Sequence, residues 1–218
     1  MKIQFIDLEY SVECDAEFVS VLQVNDARLF SKIVFSLASG ETLKALEPYM
    51  IFEGETEIKS KERLMLISDL IYLPLRDRAI VTKLYERFNA LIFEDEEMRI
   101  SLEEINNTLI DKLAEVGFQL QGEYDFTLEW DARKYLKTFD FGVCIDSDLL
   151  FDKLIGFLEV ASDIFPEKLL IFVNLKSFLT ENELVAFYQA VISLKIQVLL
   201  VESWEDGRMF SQERKISN

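Results

Sequence analysis

The chain has 218 residues, half of them hydrophobic and 18 of them phenylalanine, which is enough to bury the core of one large domain or of one domain with a lobe. Its 40 acidic and 23 basic residues give a net charge of −17. Such a surface repels nucleic acid unless cations neutralise it or basic groups gather on one face. Because histidine is absent, His general bases, Ser-His-Asp triads and His-ligated zinc are excluded.

No stretch of the sequence is apolar over the roughly 20 residues that a membrane span requires. The first residues, MKIQFIDLEY, are too acidic and too short a stretch for a secretory signal. We therefore expect a cytoplasmic protein without membrane contact, whose only cysteines, Cys14 and Cys144, do not form a disulfide. Cys144 lies in the apolar run 141–145 and is expected to be a small buried hydrophobe.

The first third of the chain alternates extended and helical segments. Asn25 or Asp26 is placed to cap a helix that ends at Gly40, a residue suited to a C-terminal cap. The predicted extended segments are a short hairpin or two edge strands over 3–13, a buried strand over 18–24, a short strand over 49–53 and a buried strand over 63–68. This strand–helix–strand order is typical of an α/β protein.

Pro74 marks a change to a purely helical pattern, which runs from Leu75 to about Gly117 and is divided by the polar run 94–97. The second helix carries apolar residues at spacings close to a heptad seam. These residues are Met98, Leu102, Ile105, Leu109, Leu113 and Val116. We predict an antiparallel helical pair that projects from the α/β body; the alternative is two helices that pack flat on its sheet.

The final third returns to alternation and contains the strongest fold signal. An all-apolar strand, an amphipathic helix and a second all-apolar strand follow one another from Lys168 to Glu202. Thr180 and Glu183 are spaced as a capping box for that helix. Strands that are apolar on both faces indicate a parallel sheet covered by helices. The other predicted elements are an extended segment at 118–130, a short helix at 131–139, a strand at 141–145, a helix from Ser147 or Asp148 to Phe165, and a patternless tail from 204 to 218.

These elements predict an α/β fold with two parts. Residues 1–74 and 140–218 form a head with a mainly parallel sheet, and residues 75–139 form an inserted helical leg lobe that ends in an acidic extended segment. With only 7 glycines and 3 prolines, the chain has few candidates for flexible linkers, so the lobe is expected to be an insertion rather than a tethered domain.

The loop before the first helix lacks the chemistry of a nucleotide site. A phosphate-binding loop needs G-x-x-x-x-G-K-[ST], because glycines let backbone N–H groups wrap the phosphates. Here the loop reads NDARLFSK, without glycine, and Ser31 precedes Lys32 instead of following it. Asp69 follows an apolar strand, where such enzymes place a metal-binding acid, but an aspartate in this position also commonly opens a loop.

Residues 121–131, QGEYDFTLEWD, form the most specific polar pattern. In an extended segment, Glu123, Asp125, Glu129 and Asp131 would share one edge or face. Carboxylate rows suit Ca²⁺, which takes 6–8 oxygen ligands in irregular geometry. The alternative is an edge strand with a solvated acidic face that resists aggregation.

Basic residues form several small clusters, each of which is typical of a solvated face when taken alone. We select two candidate phosphate contacts from each of three clusters: Lys59 and Lys61, Arg76 and Arg78, and Lys134 and Lys137.

Several segments together resemble one known family. KLLIFVN, SFLTENELVAFYQ and VLLVE are similar to the ring-forming spacer-acquisition proteins of type II-A CRISPR–Cas adaptation modules, in the CRISPR-associated Csn family. VLQVNDARLFSKIV, ERLMLISDLIYL and SDLLFDKLIGFLEV match the same family in the same order. The chain departs from it in its tail, QERKISN, which lacks a final apolar strand, and in having only Lys168 before the LLIFVN strand.

The resemblance implies a head that is distantly related to P-loop ATPases but has lost the nucleotide site, and an inserted helical leg. It further implies a non-enzymatic homotetrameric ring that holds Ca²⁺ in a segment matching 123–131 and threads double-stranded DNA by its ends. Its implied partners are the CRISPR integrase complex and the effector nuclease. Two rivals remain: a scaffold that recruits adaptation partners without DNA, and a metal-dependent NTPase or nuclease using Asp69.

Overall fold

The computed structural model describes residues 1–8, 10–122, 124, 130–205 and 207–217. In chain order the strands are β1 (Lys2–Phe5), β2 (Val12–Glu13), β3 (Val19–Gln23), β4 (Tyr49–Glu53), β5 (Thr56–Glu57), β6 (Leu64–Ile67), β7 (Leu169–Val173), β8 (Gln197–Glu202) and β9 (Glu213–Ser217). The helices are α1 (Ala27–Ser39), α2 (Ser60–Arg63), α3 (Arg78–Glu94), α4 (Glu96–Gly117), α5 (Ala132–Thr138), α6 (Leu150–Ile164) and α7 (Glu181–Ser193), with a 3-10 turn at Leu175–Ser177.

The predicted parallel α/β fold is confirmed. In the described part of the chain, five strands form a parallel sheet in the order β6-β7-β8-β3-β9. The central strands β7, β8 and β3 are almost entirely buried, as expected of a sheet covered on both faces. The capping box of Thr180 and Glu183 is present at the start of α7. The apolar stripe of α7 is buried at Leu184, Phe187, Tyr188 and Val191.

The first strand–helix–strand segment does not form one parallel unit. Helix α1 begins and ends as predicted, with Asp26 accepting N–H groups at its start and Gly40 in the left-handed conformation at its end. However, β4 pairs antiparallel with β1 in a second sheet of order β2-β1-β4-β5. The register of Ile3 with Ile51 buries both side chains in the core beneath α1. This apolar pairing across the two sequence-distant strands decides the sheet to which β4 belongs.

The tail contains a strand that its sequence does not indicate. Residues 213–217, ERKIS, form β9 and pair in parallel with β3 from Val19 to Gln23. The sequence pattern of ERKIS gave no strand signal because it contains a single apolar residue, Ile216, which packs against the core. Glu213 is a further anchor of this strand, and its carboxylate is buried. An ionic contact between distant residues therefore replaces the usual apolar pattern.

The prediction of a strand at 141–145 is wrong, because residues 141–149 have no regular secondary structure. Phe141 instead packs edge-on against Phe88 at 5.1 Å between ring centroids, and its carbonyl accepts a hydrogen bond from Tyr85. Cys144 is exposed rather than buried. These contacts tie the start of this segment to α3.

Both cysteines are free, and they differ in exposure: Cys14 is buried and Cys144 is exposed. Cys14 is buried, and this burial raises the pKa of its thiol to about 12. Since the thiolate is the reacting species, we expect iodoacetamide to modify Cys144 in the folded protein and Cys14 only after unfolding. Mass spectrometry of the alkylated peptides measures this difference, and rapid labelling of Cys14 in the folded protein would contradict it.

The chain divides into an α/β unit, Met1–Pro74 with Ile145–Asn218, and a helical unit, Leu75–Cys144. The predicted boundaries were after residue 74 and after residue 139. In the helical unit, Asp95 alone separates α3 from α4 and caps α4 by accepting the Met98 N–H. The projection of an antiparallel pair from the α/β unit stays a prediction. Among the helices that the structure describes, none has both the length and the hydropathy of a transmembrane span.

Candidate metal and nucleic-acid interface

The acidic segment lies largely outside the described residues. Of the four predicted calcium ligands, Glu123, Asp125 and Glu129 belong to the part that the structure does not describe. Asp131 is described and caps α5, because its Oδ1 accepts the N–H groups of Arg133 at 3.0 Å and Lys134 at 3.4 Å. Among the described residues, no three potential ligands lie together. The donor chemistry of the four carboxylates fits Ca²⁺, and any contribution from Asp131 must be compatible with its cap.

In the α/β unit, Lys59 and Lys61 line one cavity of about 640 Å³ together with Lys44. Lys44 was missed because it is isolated in the sequence. Lys59 is exposed and lies 3.6 Å from the Glu62 carboxylate. The aliphatic chain of Lys61 lies so close to Gly40 that a Cβ there would be 2.9 Å from the lysine Cε. Glutamates also line this cavity, so it is mixed in charge rather than uniformly basic.

The other four candidates for phosphate contacts lie in the helical unit, and all are exposed. Arg76 precedes α3 and Arg78 is its first residue. Lys134 and Lys137 lie three residues apart on α5, so they share one helix face. The Nζ of Lys134 is 3.9 Å from Asp131 Oδ2, which is a weak, solvent-screened contact. All four side chains are therefore available to a ligand.

Around the loop after β3, where a phosphate-binding loop would hold a nucleotide, the charged side chains contact other groups of the protein. The Nζ of Lys32 lies 3.9 Å from the Asp7 carboxylate. Asp69 accepts the N–H groups of Ile71 and Tyr72, so it shapes a turn. Asp69 also follows β6, which is separated from β3 by both β7 and β8. The acid that ends the neighbouring strand β8 is Glu202, which is buried and accepts the Lys176 N–H.

The helical unit contains an apolar cavity of about 720 Å³ that the sequence did not reveal. Among its polar lining residues, Tyr135 donates a hydrogen bond to Asn106. Trp130 stacks on Tyr135 with ring centroids 4.8 Å apart. The predicted seam of α4 lines much of this cavity and remains exposed at Ile105, Leu109 and other positions. The aromatic contribution was missed because Trp130 follows a segment notable for its acids.

The described residues thus define an α/β protein with an inserted helical unit. In the α/β unit, the first βα loop of the parallel sheet lacks glycine. The chain belongs to the Csn2 family of CRISPR-associated proteins, because residues 45–212 match the family described as "CRISPR-associated protein (Cas_Csn2)". The family membership predicted from the sequence is confirmed.

Relatives cover nearly the whole chain at low identity. The protein named "CRISPR-associated protein Csn2" from Enterococcus faecalis is 23% identical over 93% of this chain and 90% of its own length. A protein of the same name from Streptococcus agalactiae is 23% identical over 84% of this chain and 81% of its own length. The crystal structure of Stu0660 of Streptococcus thermophilus has a TM-score of 0.53 and 15% identity, covering all of this chain and 74% of that one. The structural likeness supports the fold.

Proposed function

We propose that this protein is a non-enzymatic, calcium-stabilised homotetrameric ring that binds double-stranded DNA ends without sequence specificity during CRISPR spacer acquisition. Membership in a CRISPR-associated family supports the biological setting. In this proposal the protein acts in the cytoplasm beside the integrase complex and the effector nuclease. Its head is related to P-loop ATPases, and the loop NDARLFSK has lost the residues that would hold phosphates.

The observation that carries the proposal is the apolar face of α4. Ile105 is 62% exposed, Leu113 is 46% exposed and Val116 is 60% exposed, although they lie on one helical seam. Exposed apolar surface of this kind gains about 25 cal/mol for every Å² that is removed from water. Single exposed apolar residues are common on proteins, whereas a contiguous stripe marks an interaction site. Contact between copies of the helical unit would bury this stripe.

Calcium would address the electrostatic cost of bringing such copies together. Each chain carries a net charge of −17, and like charges repel when subunits pack. The carboxylates of residues 123–131 supply oxygen ligands that suit Ca²⁺. Bound Ca²⁺ would reduce this repulsion and stiffen the assembly, with no role in bond cleavage.

Binding of DNA ends would use exposed cations that meet phosphates without reading bases. Arg76, Arg78, Lys134 and Lys137 are exposed in the helical unit, while Lys59 and Lys61 are exposed in the α/β unit. A ring assembled from four copies would repeat these groups around its opening. Because such binding releases counterions, its affinity would fall steeply as salt rises.

The decisive experiment compares linear with closed circular DNA of the same sequence in a mobility-shift assay, with Ca²⁺ or with a chelator. We expect binding to linear DNA only, and loss of that binding when Ca²⁺ is removed. Light scattering on the same samples is expected to give four times the 25.4 kDa subunit mass with Ca²⁺ and a smaller mass without it. Equal binding to both DNA forms would refute threading, and binding that ignores the chelator would refute the calcium role.

The matched variants are Lys134→Gln with Lys137→Gln, and Lys112→Gln with Lys153→Gln as a control of equal charge change. The first pair is expected to weaken DNA binding while the mass stays unchanged. An equal loss from both pairs would show that overall charge, rather than the α5 face, controls the affinity.

A second function is favoured by one observation, the strongly negative net charge. The protein would then be a scaffold that recruits adaptation partners without touching DNA. A stable tetramer that does not shift linear DNA even at low salt would establish this alternative.

A further inference from the structure

The side chain of Glu47 is fully buried although it carries a carboxyl group. Its Oε1 accepts the Asp7 N–H at 2.8 Å. Its Oε2 is buried and has no hydrogen-bond partner among the described residues. An ionised carboxylate with an unsatisfied oxygen is costly to bury, whereas a protonated carboxyl has one donor to offer. Glu47 therefore requires either a donor for Oε2 or a proton on it.

The Asp7 carboxylate can accept such a proton, because it belongs to the residue whose N–H lies 2.8 Å from Glu47 Oε1. Two adjacent carboxylates, one of them buried, cannot both ionise at ordinary cost. Among the described residues, the charged groups facing Glu47 are Asp7 from the turn after β1 and Lys32 from α1, whose Nζ is 3.9 Å from Asp7. Because Glu47 is the buried member of the pair and Lys32 lies beside Asp7, the proton belongs on Glu47.

This carboxyl pair joins three separate pieces of the α/β unit. Ile6 N–H donates to the Pro48 carbonyl at 3.0 Å, next to the pair. The Glu47 N–H donates to Ser36 Oγ at 2.8 Å, and Ser36 lies on α1. The turn after β1, the segment 41–48 and α1 therefore meet at Glu47.

We propose that Glu47 and Asp7 share one proton and that this proton latches the turn after β1 and the segment 41–48 onto α1. Glu47 donates through its carboxyl O–H to the Asp7 carboxylate, and Asp7 returns a backbone N–H to Glu47. When the proton leaves, two adjacent negative charges repel each other, and exposure of the Glu47 carboxylate to water becomes favourable. The latch then opens locally, while the parallel sheet stays folded.

The direction of the pH dependence follows from the burial of Glu47. Burial raises the pKa of Glu47 above its ordinary value, and the Asp7 carboxylate adds to this effect, while the Asp7 N–H and Lys32 oppose it. A group whose pKa is higher in the folded state stabilises that state at low pH. The latch is therefore closed below the folded-state pKa of Glu47 and opens as pH rises through it.

The test is hydrogen exchange by mass spectrometry on the full chain, from about pH 5 to about pH 9, which starts above the ordinary glutamate pKa of about 4.3. Peptides covering residues 1–12 and 41–50 are expected to lose protection as pH rises, after correction for intrinsic exchange. Each pH unit between the ordinary glutamate pKa and the folded-state pKa of Glu47 is expected to lower protection by up to about tenfold. Peptides from β7 and β8 are expected to keep their protection.

Two variants separate the shared proton from a general loss of structure. Glu47→Gln carries a permanent N–H donor, and Asp7→Asn removes the adjacent charge, so both are expected to keep residues 1–12 and 41–50 protected at high pH. Glu41→Gln, an exposed change in the same segment, is expected to behave as the unaltered protein. The proposal is overturned if the unaltered protein shows no pH-dependent loss, or if Glu47→Gln and Asp7→Asn lose protection as it does.

Discussion

Replacing Glu213 with leucine is expected to lower the free energy of unfolding by about 3–5 kcal/mol, because it removes one partner of a buried ion pair. Glu213 Oε1 lies 2.6 Å from the Nζ of Lys176, and both side chains are only 1% exposed. Glu213 also accepts a hydrogen bond from Tyr188 on α7. The substitution removes the carboxylate that lies 2.6 Å from the buried Lys176 ammonium and that accepts the Tyr188 hydrogen bond.

Urea denaturation of the unaltered and altered proteins measures this loss. The control is Glu62→Leu, which breaks the exposed pair with Lys59 and is expected to cost less than about 1 kcal/mol. The double change Lys176→Met with Glu213→Leu is expected to be less harmful than Glu213→Leu alone, since both charges of the most buried pair are removed together. If Glu213→Leu cost no more than Glu62→Leu, the ion pair would not be what holds β9 in the sheet.

Replacing Ile105 with aspartate is expected to dissociate the proposed tetrameric ring into single subunits. Ile105 is 62% exposed on the α4 seam, so the change costs little within one chain. In a contact between copies, however, it would bury a carboxylate against apolar side chains, at a cost of several kcal/mol. The expected mass in Ca²⁺ is that of one 25.4 kDa subunit.

Sedimentation equilibrium in Ca²⁺ measures the result, and thermal unfolding of the same samples checks that each chain is folded. The matched control is Asn107→Asp, which adds the same charge at an exposed α4 position two residues away and off the seam. Asn107→Asp is expected to remain assembled. An assembled Ile105→Asp protein would mean that the α4 seam is not the contact between copies.

The sequence was most informative where local pattern and tertiary environment agree. The strand–helix–strand segment from β7 to β8 was predicted correctly because apolar runs and a capping box report burial and helix starts directly. The same holds for the caps of α1 at Asp26 and Gly40. These features depend on neighbouring residues, which a single sequence displays in full.

Prediction of the site was less complete because a side chain's role depends on what it meets. Asp131 was selected as a metal ligand by spacing, and it caps α5 in the structure. Lys61 was selected for its charge, and its aliphatic chain packs against Gly40. The other carboxylates of the acidic segment lie outside the described residues, so their calcium role stays a prediction.

The sequence by itself determined the parallel α/β class, the helical insertion after Pro74 and the family. Only the tertiary structure decided that ERKIS is a strand, that residues 141–145 are not, and that Glu47 and Glu213 are buried acids. Apolar periodicity records burial by hydrophobic contact, which is local and repeats along the chain. Burial of a charge depends on a partner far away in sequence, as Glu213 depends on Lys176, and no periodicity records that partner.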